Sequence, residues 1–216
     1  MSQWISLSII FLSYLFAIAA GIKSFKSLPT IGKLALIWVS ISAVFDVIVV
    51  TLANLGMNNY LFMNAYDYIG LPLEISIGIA TGLLSKSYKK MMLIPFLVLT
   101  GFHLFHNIQY GLRIPYPQLS NANSIFQCVF FGALIVKILA SSEIDFKKQK
   151  YNLLILAGTF IFEATMSIPA LFNLITFPPE YRELLSSVQF FSILSGSIGK
   201  NILFLIFFLT NQKKLA

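Results

Sequence analysis

SSVQFFSILSGSIGKNILFLIFFL, residues 186–209, is long and apolar enough to cross a bilayer, yet it carries a lysine, Lys200, slightly past its middle. A hydrocarbon core about 30 Å thick takes ~20 apolar residues per helix. A charge at that depth costs ~2.5 kcal/mol or more, so it persists where something inside the protein answers it. Two expectations follow: the chain belongs in lipid, and it holds a polar centre there.

Segments of the same kind recur on the amino-terminal side. Seven can be marked, at 4–22, 33–55, 61–85, 91–112, 122–141, 151–176 and 185–210, forming one all-α, seven-helix transmembrane domain over residues 1–216. With 57% hydrophobic and 11% charged residues, the chain differs from an ordinary soluble domain, whose charged share is about 25%. The longest connection, around SSEIDFKKQK, leaves no space between spans for a soluble catalytic or signalling domain.

Basic residues set the expected orientation, because cytoplasmic loops gather Lys and Arg. Lys23, Lys26 and Lys33 follow the first segment, and Lys86, Lys89 and Lys90 the third. Lys137, Lys147, Lys148 and Lys150 surround the fifth-to-sixth connection, and Lys213 and Lys214 come last. Arg113 and Arg182 fall on the other side, two against twelve. The amino terminus is expected outside and the carboxyl terminus in the cytoplasm, in a multi-pass protein of the cytoplasmic (inner) membrane. Trp4, Tyr60, Tyr66, Tyr110, Tyr116 and Tyr181 near outer ends, with Trp38, Tyr88 and Tyr151 near inner ones, read as an interfacial belt. The net charge of +7 then faces the anionic lipid bilayer and requires no nucleic-acid partner.

Ala17-Ile18-Ala19 has the small residues of a signal-peptide cleavage site, but no basic residue precedes the apolar run and lysines follow it. The first segment is therefore expected as a retained helix. The single cysteine, Cys128, rules out an intrachain disulfide and reads as packing.

At ~1.5 Å per helical residue, Asp46 lies about 18 Å from the inner end of the second segment, and Glu163 a similar distance into the sixth. Glu74 in the third segment and Lys200 share that slab. His103 joins them from the fourth segment, with His106, Asn107 and Tyr110 on the same face. Further stripes run through Asn64, Asp67, Glu74 and Gly78; through Thr159, Glu163 and Ser167; and through Gln189, Ser192, Gly196 and Lys200. Such faces must turn inward in lipid, which predicts one shared interior. Asp46, Asp67, Glu74, His103, His106, Glu163 and Lys200 are the candidate ligand- or proton-binding residues.

A purely structural alternative pairs Lys200 with Glu163, locking the seventh helix to the sixth. Three acids facing one lysine exceed what that pair needs, and the surplus makes the cluster a candidate holder of an exchangeable proton. Gly196 and Gly199 read as close helix approach. Pro72 and Pro169, inside helices three and six, read as kinks. His103 and His106 have metal-ligand spacing, but an interhelical hydrogen bond is the commoner use of such a residue, and no metal is expected. No Gly-rich phosphate loop, CxxC, HExxH or GxSxG occurs, which points away from an enzyme.

Three resemblances bear on function. LGMNNYLFMNAYDYI, FHNIQYGL and SNANSIFQCVFFGALIVKIL, with Asn58-Asn59, Tyr66 and later Asn201, resemble a family of small seven-helix membrane proteins from Bacteroidota. That likeness covers most of the chain as a pattern and implies topology without mechanism; Gly70 stands where the family pattern has a glutamate. Seven helices with a mid-helix lysine in the last, an acid in the third and Pro169 about 31 residues before Lys200 are similar to microbial rhodopsins. That likeness implies retinal as a cofactor on Lys200, held as a Schiff base, with Glu74 or Asp67 as counter-ion. Position 196 is glycine where that family has an aspartate, and its helix-three arginine and pocket tryptophans are missing. The string IGLPLE around Pro72 and Glu74 is similar to small lycopene cyclases, although Ile75 replaces the second acid and PPEY at 178–181 is a poor second copy.

The expected function is non-enzymatic binding of a small solute or proton in a mid-membrane polar cavity, as in a transporter. One alternative is a seven-helix sensor or receptor acting through a cytoplasmic signalling partner docked on Lys147, Lys148 and Lys150. The other is a rhodopsin-like retinal protein.

Overall fold

The computed structural model describes residues 3–111, 117–140, 146–173 and 181–212, and among these the chain is helical without strands. The elements are α1 (Gln3–Ser24), a short 3-10 turn (Phe25–Ser27), α2 (Thr30–Asn54), α3 (Tyr60–Ala80), α4 (Lys86–Tyr110), α5 (Pro117–Ala140), α6 (Phe146–Asn173) and α7 (Arg182–Gln212). Arg113, Tyr116, Pro178, Pro179, Glu180, Lys213 and Lys214 lie outside the described residues, as do the side chains of Trp4, Lys147, Lys148, Pro169, Arg182 and Gln189.

Local chemistry sets the helix ends. Pro29 precedes α2 in an extended conformation, and Leu28 before it is held extended, as the proline ring requires. At the other end of α2, Gly56 adopts φ +67°, a left-handed backbone that costs glycine least. There Gly56 N–H donates to Ala53 O (3.1 Å) and Met57 N–H to Leu52 O (2.9 Å), a Schellman closure that satisfies carbonyls the helix leaves open. Ser85 starts α4, its hydroxyl accepting from Tyr88 N–H at 3.3 Å.

Among the described residues, six helices are long and apolar enough to cross a membrane: α1, α2, α4, α5, α6 and α7. The third, expected as a span of the same kind, is not among them. Its 21 residues include Asn64, Asp67 and Glu74, which dilute its apolar character.

The helices close into a ring in the order α1, α2, α3, α5, α6, α7 and back to α1. α4 stands outside that ring, its backbone approaching α5 most closely. Among the described residues, polar contacts link it to the ring: Asn107 Nδ2 donates to Tyr68 Oη of α3 (2.7 Å), His103 Nε2 meets Asn123 Nδ2 of α5 (3.0 Å), and His103 Nε2 lies 3.8 Å from Asp67 Oδ2 of α3. Most of the α4 side chains, such as Ile94, Leu97, Phe105 and Ile108, face outward.

Along its length the ring divides into unlike halves. Around the carboxyl ends of α1, α3, α5 and α7, large apolar side chains fill the interior, among them Ile77, Phe131, Leu134, Leu156, Phe204 and Phe207. Packing there is close enough that a Cβ on Gly32 would lie 2.6 Å from Phe207 Cε1. Lys137 caps this end of α3, donating from Nζ to Leu83 O at 2.7 Å. The other half, around the amino ends of the same helices, contains the cavity.

Candidate functional site

Lys200 has no exposed surface, and its Nζ has no hydrogen-bond partner among the described residues. Three aromatic rings surround the ammonium, with centroids 4.1 Å (Phe162), 4.4 Å (Trp38) and 5.4 Å (Tyr14) from Nζ. Each ring offers its negative π face to the cation. Asp46, Glu74 and Glu163 are the carboxylates that act on it electrostatically. None of them forms an ion pair with it among the described residues. The direct Lys200–Glu163 pair considered from the sequence is therefore not made: the planes of Phe162, Trp38 and Tyr14 occupy the space around Nζ.

Trp38 organises this box. It is fully buried, packs edge-on to Phe162 (5.8 Å) and against Phe204 (5.7 Å), and donates its indole N–H to Tyr66 Oη at 3.0 Å. Tyr66 in turn shares a hydrogen bond with Ser42 Oγ at 2.8 Å. The sequence placed Trp38 and Tyr66 in the interfacial belt; both instead belong to the interior, where the indole and phenol satisfy each other's polar atoms.

Above the box, a cavity of about 610 Å³ lies between α1, α2, α3, α5, α6 and α7. Its lining reaches Leu7, Tyr60 and Asn121 near the starts of their helices and descends to Glu74, Glu163 and Ser197. Asp46, Asp67, Glu74 and Glu163 all border it, and no Lys, Arg or His does so among the described lining residues. Tyr14 Oη donates to Asp46 Oδ2 at 2.8 Å. Gln127 lies beside Glu74, and Ser124 beside Glu163, in the same lining. Much of the remaining wall is apolar, with Ile10, Phe11, Phe45, Val49 and Phe190.

Of the residues singled out from the sequence, the cavity brings together Asp46, Asp67, Glu74 and Glu163, with Lys200 behind its floor. His103 lies outside the lining, 3.8 Å from Asp67 Oδ2 and bonded to Asn123. Asn123 Oδ1, buried on the other side of this amide, has no hydrogen-bond partner among the described residues. His106 packs against Tyr110 with ring centroids 5.0 Å apart on the outer helix and does not border the cavity. The stripe on α6 also shrinks, because Thr159 and Ser167 donate back to Ile155 O (2.9 Å) and Glu163 O (2.8 Å) of their own helix.

Tyr14, Ser42, Gln127 and Ser197 are cavity residues that the sequence reading missed. Gln127 had a signal, as a lone amide within the apolar run IFQCVFF. Tyr14 had a weaker one, as a phenol in mid-helix. Among the described residues no group of three or more His, Cys, Asp or Glu could hold a metal ion.

The chain matches no protein-family model, no curated protein and no solved structure.

Proposed function

We propose that the chain spans the cytoplasmic membrane seven times, amino terminus outside, and binds a small solute or proton in the cavity in the manner of a transporter. The observation that carries this reading is the concentration of four carboxylates around a hollow of about 610 Å³ in one half of a bundle whose other half is closely packed. Intramembrane acids facing a cavity are the usual hardware of solute and proton pathways. α3 fits as the remaining span: 21 residues at ~1.5 Å each cover about the hydrocarbon thickness, and its polar side chains face the cavity. Lys23, Lys26, Lys33, Lys86 and Lys137 cluster at the packed end, which by the positive-inside rule puts the hollow toward the exterior. Kinship with the small seven-helix Bacteroidota proteins is part of the proposal. Two residues of that pattern hold the site's surroundings together, Tyr66 on Trp38 and Asn201 donating from α7 to Ser13 Oγ of α1 at 2.9 Å.

The test is one-sided accessibility followed by flux. In a Cys128→Ala background, Ser197→Cys should react with a small water-soluble methanethiosulfonate added outside, and Val39→Cys in the packed half should not. An unreactive Ser197→Cys would remove the hollow from the reading. Proteoliposomes should show solute-dependent pH changes that Glu163→Gln abolishes; equal rates in both proteins would remove the proton.

One observation favours a second reading, a retinal-binding protein: among the described residues the Lys200 amine has no hydrogen-bond or ion-pair partner, and it sits among aromatic rings beside carboxylates. Glu74, an expected counter-ion, and Asp46 act on the amine, whereas Asp67, the other expected one, is not among the carboxylates that do. Lys200 does not border the cavity, so attaching an aldehyde to Nζ would require Phe162, Trp38 or Tyr14 to turn aside. Adding retinal should then give a visible absorption band that Lys200→Ala lacks, and a colourless preparation ends this reading.

A further inference from the structure

We propose that the cavity selects an organic cation, a primary ammonium on a compact apolar body, with the ammonium held among Glu74, Glu163 and Gln127. This rests on the solute-binding reading above and adds the chemical class of the solute. The charge inventory is the first ground. Four carboxylates border the cavity with no basic side chain among the described lining residues, and Lys200 stands behind Phe162 and Trp38 rather than in the lining. An anionic ligand would find no basic partner in the described lining, and a neutral one would leave the buried carboxyls to take up protons, whereas a cation supplies the opposite charge that favours their ionised form.

A second, independent ground is an acceptor without a donor. Gln127 is 4% exposed, lies beside Glu74 in the cavity lining, and its Oε1 has no hydrogen-bond partner among the described residues. A glutamine carbonyl oxygen can only accept, so Oε1 as placed calls for a donor from whatever fills the cavity. Glu74 and Glu163 are equally enclosed, each 2% exposed. A primary ammonium carries three N–H donors, one for each of these acceptors. Higher in the cavity, Phe11, Phe45 and Phe190 offer an apolar wall whose ring faces tolerate a cation nearby. The volume suits a small organic molecule, since ligand pockets run to roughly 300–1,000 Å³, and it is far larger than a bare metal ion needs.

Three probes with nearly the same carbon skeleton test the inference: 2-phenylethylammonium, 2-phenylethanol and 3-phenylpropanoate, titrated calorimetrically into the full chain in nanodiscs against empty nanodiscs. Saturable binding of the ammonium, tighter than the alcohol by about tenfold or more and with no saturation by the carboxylate, is expected. Glu74→Gln and Glu163→Gln should each weaken the ammonium by about tenfold, with Gln127→Leu also weaker. The comparison among probes uses the unaltered chain, so it holds even if a variant fails to fold. Alcohol binding as tight as the ammonium, or tighter carboxylate binding, overturns cation selection and leaves the solute cavity standing. No saturable heat from any probe also overturns it, and reactivity at Ser197→Cys then decides whether the hollow itself survives.

Discussion

An ammonium surrounded by three aromatic rings contributes differently from one locked onto a carboxylate. Breaking a buried ion pair typically costs ~3–5 kcal/mol, whereas a desolvated cation–π contact contributes ~2 kcal/mol and the three made by Lys200 are offset by the several kcal/mol that burying an ammonium without a paired carboxylate costs. Lys200→Met should therefore lower unfolding stability in mild detergent by less than about 2 kcal/mol. Trp38→Ala should cost more, ~3–5 kcal/mol, because it empties a fully buried site between Phe162 and Phe204 and removes the donor to Tyr66. Thermal unfolding of the two purified variants checks both. A Lys200→Met loss as large as that of Trp38→Ala would mean that a carboxylate does pair with the amine.

The helix contacts make their own predictions. On α7, Gly196 lies against Thr165 of α6 so closely that an added Cβ would overlap the threonine Oγ1. That hydroxyl already donates to Phe162 O at 2.7 Å, so it cannot swing away without losing a bond. Gly196→Ala should therefore destabilise by ~1–3 kcal/mol, and adding Thr165→Ala should recover part of it, as a double-mutant cycle on the unfolding midpoint would show. α4 is held by polar contacts at His103 and Asn107 rather than by deep packing. His103→Leu combined with Asn107→Leu should raise hydrogen exchange along α4 in detergent while leaving α6 and α7 unchanged. Equal acceleration in all helices would show that α4 is integral to the ring.

Taken as a whole, the bundle was legible in the sequence where composition alone decides. Apolar runs of bilayer length mark six helices, and ionisable groups inside them stand out because lipid makes them costly. That is why Asp46, Glu74, Glu163 and Lys200 were visible. What the sequence lacks is azimuth. An aromatic residue some turns from a segment's end reads the same whether it meets headgroups or turns inward, so Trp38 and Tyr66 were assigned to the belt. Hydroxyls spaced one turn apart look like a stripe, yet Thr159 and Ser167 spend their donors on their own backbone. Nor does chain order give ring order: α4 follows α3, but α5 takes the place beside it.

The division into a filled half and a hollow half also has a mechanical side. A dry cross-section of interlocked rings resists squeezing, whereas one enclosing about 610 Å³ yields to it. Lateral pressure in one leaflet alone should then set how wide the cavity stands. Conical lysolipid added to the leaflet around the hollow end should shift ligand affinity, and the same lipid in the opposite leaflet should leave it unchanged. Titration in asymmetrically loaded vesicles measures the difference, and equal responses from both leaflets would mean the bundle bears membrane tension evenly along its axis.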